Sequence, residues 1–230
     1  MPKFFVISDI HGYYDEMMAA LDEAGFDADN EDHWLISCGD HFDRGPKPFE
    51  VMMYLEKLPR KVLIRGNHEN LLVDCCKRTY PLGRDIHNGT WRTVMQMGLG
   101  GLFEDPCEYV SVRVKPFLNQ MRNYFETENY IFVHSWIPRN KNWRESSQGV
   151  WDEAMWGNPY EQSFFPDKTI VFGHWHCSAG WAMSEGRSEF GEDARFDPYY
   201  GDGFISIDGC TAFTRKCNVI VLEDDFLKVG

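Results

Sequence analysis

The segment Gly39-Asp40-His41-Phe42-Asp43-Arg44-Gly45 sets two carboxylates, an imidazole and a guanidinium between two glycines. An ordinary turn needs no such density of charge, so its meaning depends on matching groups elsewhere in the chain. Four further clusters supply them: Asp9-Ile10-His11, Gly66-Asn67-His68-Glu69, His134, and Gly173-His174-Trp175-His176. Carboxylate oxygens and imidazole nitrogens brought together suit divalent manganese, iron, zinc or nickel. Asp9, His11, Asp40, Asn67, His134 and His174 offer six ligands, more than one catalytic ion with open positions would use, which points to two ions. A carboxylate shared by two ions roughly 3.5–4 Å apart lets a bridging water become a nucleophile at neutral pH. Asp40 is the expected bridge. Singly, the clusters have plain alternatives, with Asn67 as a helix cap and the 173–176 stretch as core aromatics beside satisfied histidines. Their joint order and placement weigh against those alternatives.

Placement follows from the apolar runs that precede the clusters. KFFVIS (3–8), HWLISC (33–38), KVLIR (61–65), NYIFVHS (129–135), TIVFG (169–173), FISID (204–208) and NVIVLE (218–223) are rich in β-branched and aromatic residues and bounded by polar turns, the pattern of buried strands. YDEMMAALDEAG (14–25) and PFEVMMYLEKL (48–58) carry helical periodicity, the first stopping at Gly25. Strand and helix alternate early, which implies parallel strands joined by helical crossovers, and the closely spaced 204–208 and 218–223 runs suggest an antiparallel portion. In α/β sheets ligands bind outside the carboxyl ends of strands, so five distant clusters can meet in one crevice. Residues 79–123 contain two further helical stretches and are expected to form a cap near the site. Residues 136–168 and 177–202, rich in Trp, Gly, Asn and Glu, are expected to be long surface loops.

Composition bounds the remaining possibilities. A chain of 230 residues, 43% hydrophobic, is enough for one domain with a substantial core. A net charge of -13 opposes general attraction to nucleic acid or to an anionic membrane. The apolar runs are too short for a membrane span and the first residues lack a secretory pattern, so a cytoplasmic protein is expected. Of seven cysteines, an odd number without a paired C-x-x-C spacing, most are expected to be reduced, buried side chains.

In this order and spacing the clusters resemble the calcineurin-like metallophosphoesterases, through D-x-H, G-D-x-x-D-R-G, G-N-H-E, a later lone His and G-H-x-H. The R-G ending of the second block and the Glu of the third resemble the phosphoprotein phosphatase branch, above all its compact bacteriophage-lambda type. The Gly173-His174-Trp175 stretch is similar to the related symmetrical dinucleoside tetraphosphate hydrolases. The resemblance spans roughly residues 3 to 223 and is weakest over 79–123. It implies a four-layer αββα sandwich with mixed sheets, one metallophosphoesterase domain over residues 1–230, and two divalent metal ions, manganese first among the choices. Asp9, His11 and Asp40 then match ligands of the first metal, and Asp40, Asn67, His134 and His174 those of the second. Asp43 resembles the carboxylate that keeps His68 oriented and protonated as a general acid. Arg44 offers a rigid fork of donors for phosphate oxygens. His176 is either a further ligand of the first metal or a surface-loop histidine.

Two departures carry expectations. His134-Ser135-Trp136 replaces the usual His-Ala-Gly, so a bulky ring is expected to make a large substrate fit less readily. No arginine lies between Trp156 and His174, which leaves Arg139 or Arg144 to replace a second phosphate-clamping arginine. The expected activity is metal-dependent hydrolysis of phosphate monoesters, such as phosphoserine, phosphothreonine and aryl phosphates, by direct attack of water. The alternative is a dinucleoside polyphosphate hydrolase on the same centre, with Trp136, Trp156 or Trp175 stacking on adenine. A catalytically dead metal-binding scaffold is disfavoured because every matching ligand and the acid are present.

Overall fold

Strands β1 (Lys3–Ile7) and β2 (His33–Ser37) are buried along almost their whole length, as parallel strands covered on both faces must be. With β3 (Lys61–Leu63) and β9 (Val219–Glu223) they form a sheet of order β3-β2-β1-β9. The first three strands run parallel and β9 pairs antiparallel with β1. A second sheet has the order β4-β5-β6-β8-β7, from Tyr124–Glu126, Tyr130–Val133, Thr169–His176, Phe204–Asp208 and Tyr199–Gly201 respectively. Its central strands are parallel and both edges antiparallel. The computed structural model describes residues 1–78, 80–98, 105–163 and 166–227.

The sheets pack face to face. Phe4, Val6 and Ile36 from the first meet Phe132, Val171 and Ile205 from the second in one buried cluster. On the outer face of the first sheet, Phe5, Ile7 and Leu35 pack against Met17 and Leu21 of α1 (Tyr14–Glu23) and Val51 and Leu55 of α2 (Pro48–Lys57). On the outer face of the second, Ile131, Val133, Ile170 and Phe172 pack against Trp136, Trp143 and Trp151, the last on α8 (Gln148–Ala154). Burying apolar area on both faces of two sheets requires the helix-sheet-sheet-helix layering expected from the sequence.

The expected antiparallel portion is present but divided between the two sheets, and the two expected loop segments change. FISID and NVIVLE each contribute an antiparallel pairing, but not with one another: β8 pairs with β7 in one sheet and β9 with β1 in the other. The chain crosses between sheets through the short helix α10 (Thr211–Thr214). The 136–168 and 177–202 segments are not plain loops, since they include α8 and α9 (Cys177–Glu185) as well as β7. Helix α9 escapes a periodicity search because it buries Cys177, Ser178, Ala179 and Gly180, small residues with no apolar stripe. Helix α8 is fixed by aromatic packing, with Trp151 stacked on Tyr124 at 5.2 Å.

The 79–123 segment carries α4 (Gly83–His87), α5 (Thr90–Gly98), α6 (Pro106–Tyr109), a π-helical turn (Val110–Val114) and α7 (Lys115–Leu118). Residues 79 and 99–104 of it lie outside the described residues. Helix α5 packs on α2 and on α3 (Asn67–Cys75), so the segment extends the helical layer toward the ends of β2 and β3. Among the described residues, no helix is long and apolar enough to cross a membrane, and all seven cysteines are free thiols.

Candidate metal centre

The loops leaving β1, β2 and β3, together with His134 after β5 and His174 within β6, converge outside the carboxyl ends of the strands. Backbone conformation brings them there. Asp9, His11, Asp40, Asp43, Arg44 and His174 all have positive φ, between 50° and 71°. Non-glycine residues in this left-handed region cost on the order of 1–3 kcal/mol each and persist where surrounding structure fixes them. His174 lies where the β6–β8 register shifts, between Phe172 and His176. Tight approach is built in at Gly66, where an added Cβ would fall 2.2 Å from Asp40 Oδ1.

Asp40 stands between two sets of ligand atoms: His11, Asp40 and His68 form one group, and Asp40, His134 and His174 the other. Its Oδ2 is 3.7 Å from His11 Nε2, and its Oδ1 is 3.4 Å from His134 Nε2. Second partners orient the imidazoles. His11 Nδ1 donates to the Phe42 carbonyl at 2.9 Å and His134 Nδ1 to the Cys38 carbonyl at 2.8 Å, which turns both Nε2 atoms inward. Asn67 Oδ1 is 2.8 Å from His134 Nε2. Asp9 Oδ2 accepts from Ser8 Oγ at 2.5 Å and from the His174 amide at 2.8 Å, while its Oδ1 lies 3.9 Å from His11 Nε2.

The electrostatics suit cations. Burial, with Arg44 and His68 beside it, holds His11 well below its ordinary pKa. Burial and His134 bring His174 down to about 3. Both imidazoles therefore keep a neutral lone pair for a metal. Burial alone would raise Asp40, but His134, His68 and His11 outweigh it and hold the carboxyl well below its usual range. Burial pushes Asp9 well up, with the Asp208 carboxyl adding to the effect, and raises Asp208 itself to about 7. Buried acids crowded in this way are relieved by positive charge placed among them. The donor set, its orientation and its charge fit divalent ions.

His68 and Arg44 face the same space. His68 Nδ1 donates to Asp43 Oδ2 at 2.7 Å, and Asp40 together with that Asp43 bond overcomes the lowering by burial, so the imidazole titrates above its ordinary value. Arg44 Nη1 reaches His11 Nε2 at 2.9 Å, and Nη2 lies 3.3 Å from His68 Nε2.

Other sequence candidates lie elsewhere. His176 is outside both groups, with Nε2 3.9 Å from Asp208 Oδ2. Trp136 is buried and packs on Phe172 at 5.8 Å, so its ring fills the core instead of crowding substrate. Arg144 is bound bidentately to Glu126 and lies 4.2 Å over Trp143. Arg139 bonds Gln162 at 2.8 Å. Neither arginine is paired with a residue of the centre.

Four contributors have no role assigned from the sequence, although Glu69 is part of a recognised motif. Glu69 is fully buried and accepts from the amides of Gly66, Asp40 and His41 and from His41 Nδ1, strapping the second motif to the third. Thr90 donates to Asp43 Oδ2 at 2.6 Å, and Thr93 accepts from the Asp43 amide at 3.0 Å. Asp208 ends a strand, as the recognised clusters do, and that placement was the available signal.

Residues 2–178 match the calcineurin-like phosphoesterase family, and the chain belongs to it. Members of this family are phosphoesterases that work with a dinuclear divalent metal centre. The asymmetrical bis(5'-nucleosyl)-tetraphosphatase PrpE of Bacillus velezensis is 43% identical over 76 residues, 29% of this chain and 30% of its own length. The enzyme of the same name from Halalkalibacterium halodurans is 30% identical over 148 residues, 59% of this chain and 57% of its own. The chain thus spans less than two thirds of the length of these relatives. A solved cold-active protein tyrosine phosphatase superposes with a TM-score of 0.63 at 16% identity, over 97% of this chain and 74% of its own, a likeness of fold.

Proposed function

We propose that this phosphoesterase hydrolyses dinucleoside polyphosphates at a centre of two divalent ions bridged by Asp40. The position of Asp40 in both ligand groups carries the chemistry, and the names of the curated relatives favour the substrate. Asp9, His11 and Asp40 would hold the first ion, and Asp40, Asn67, His134 and His174 the second, with manganese the first choice. When bound, such ions supply Lewis-acid charge and an activated water. Arg44 binds the phosphoryl oxygens with two parallel donors, an interaction that strengthens as charge builds on them. His68, kept protonated by Asp43, gives a proton to the departing oxygen from Nε2. His176 serves as a partner of Asp208. On this reading residues 1–230 act as one metallophosphoesterase domain, with the helices of 79–123 as a cap steadying Asp43. The net charge of -13 does not prevent anion binding, because distant carboxylates are screened within ~8–10 Å while the ions and Arg44 act at contact.

Phosphomonoester hydrolysis is the second reading, favoured by the charged His68–Asp43 pair, which suits the poor alkoxide leaving group of phosphoserine. The test is metal-reconstituted protein offered diadenosine tetraphosphate, a phosphoserine peptide and p-nitrophenyl phosphate under identical conditions. A higher kcat/KM on the dinucleotide is expected. The reverse ranking transfers the assignment to monoesters, and no turnover of any substrate overturns both.

A further inference from the structure

A cavity of about 540 Å³ is lined along α3 by Asn70, Leu71, Val73 and Asp74, and Trp156, which also lines it, connects it to His174. Arg65, two residues before Asn67, and Asn70, one turn after it, both line the cavity. Trp156 is part of its wall. Trp136, Trp143 and Trp151 are buried, whereas Trp156 is 51% exposed, its ring edge-on to His174 at 6.1 Å. An exposed indole beside a catalytic centre costs apolar burial that a purely structural tryptophan would recover.

Charge along the cavity is unevenly matched. Lys77 is paired with Asp74 at 2.9 Å, and Asp152 accepts from Asn70 and Gln148 at 3.2 and 2.9 Å. Two arginines are left over. Arg65 makes no ion pair or side-chain hydrogen bond among the described residues, and its Nε is buried without a partner, a costly arrangement unless a ligand completes it. Arg84 has a side chain 52% exposed, and its ion pair is a 3.8 Å approach to Asp85. That carboxylate is already bonded to Arg78 and to the Leu82 amide, each at 2.6 Å.

We infer that this groove seats a nucleotide portion of the substrate, with a purine base stacked on Trp156 and phosphate oxygens on Arg65 and Arg84. The inference deepens the reading of the chain as a dinucleoside polyphosphate hydrolase and rests on it. A flat aromatic face recognises any base, and a guanidinium fork recognises phosphate.

Competition against p-nitrophenyl phosphate tests the groove whether or not diadenosine tetraphosphate is cleaved. Inhibition constants of ADP, pyrophosphate and inorganic phosphate are measured on manganese-loaded protein at fixed free metal. Wild type should bind ADP about tenfold or more tighter than pyrophosphate, the scale of one base stack. Trp156→Ala should erase that preference, and Trp156→Phe should restore most of it. Arg84→Gln should weaken ADP and pyrophosphate together relative to phosphate. Equal inhibition by ADP and pyrophosphate in wild type, or an unchanged ratio in Trp156→Ala, overturns the inference. So does a parallel loss of phosphate inhibition in both variants, which would place their effect in the metal centre. A protein that prefers ADP yet leaves diadenosine tetraphosphate intact keeps the groove and removes the proposed substrate.

Discussion

Asp43 and His68 meet at 2.7 Å, and the same carboxylate oxygen accepts the Thr90 hydroxyl from the first turn of α5. Helix α5 is therefore bonded directly to the Asp43–His68 pair proposed to serve as the acid. His68→Ala should lose about 10²–10⁴-fold in kcat on alkyl phosphates and distinctly less on p-nitrophenyl phosphate, whose phenolate departs with little need of a proton. Thr90→Val, which removes one of two bonds to Asp43 Oδ2, should show the same bias more weakly. A series of leaving groups of graded pKa checks both, and equal losses along it would refute the acid role.

Asp40 touches both ligand groups, so Asp40→Asn should lower the occupancy of both ion positions, where His174→Ala should lower that of the second. Metal analysis by mass spectrometry reads the difference. Stripping the ions from wild type should also lower Tm, because ligands that bind only the folded state stabilise it. Two ions retained in Asp40→Asn would remove the bridge.

Glu69 ties the β2 and β3 loops through four hydrogen bonds accepted by its fully buried carboxylate. Glu69→Gln keeps the shape but turns one acceptor into a donor facing buried N–H groups. Destabilisation of about 2–4 kcal/mol is expected, together with a fall in kcat larger than any change in KM. Urea denaturation and steady-state kinetics measure the two, and a stability equal to wild type would deny the strap.

Asp85 gives the cap its own pH dependence. Burial would raise this carboxyl, but the Leu82 amide, and Arg78 after it, hold it below the ordinary 3.8. A depressed carboxylate stabilises the fold fully above its unfolded value and progressively less as pH falls toward its folded value. Wild type should thus lose stability below about pH 4 more steeply than Asp85→Asn, which should be about 1–3 kcal/mol less stable at pH 7. Thermal melts from pH 3 to 7 compare the slopes, and parallel curves would sink the prediction.

The convergence of Asp9, His11, Asp40, Asn67 and His134 was legible because each follows an apolar strand, and strand ends in an α/β sheet share one edge of the molecule; His174 joins them from within β6. His41 and Glu69 were harder to see. Their pairing at 3.2 Å joins residues 28 apart, and nothing local distinguishes a buried acid from an exposed one. Thr90 and Thr93 sit in a segment whose helical pattern was visible while its docking partner was not. Helix α9 went unread because small residues pack by closeness, which leaves no periodic signal. The separation of β8 from β9 is a matter of which sheet each strand joins, and sequence spacing carries no information on that choice.

The left-handed backbone at Asp9, His11, Asp40, Asp43, Arg44 and His174 sets heat resistance against turnover. Glycine at any of the six would relieve steric strain while deleting a side chain that the proposed centre uses. Selection for thermostability alone would therefore drift toward an inert scaffold, so dead copies of this fold should melt later than live ones in the absence of metal.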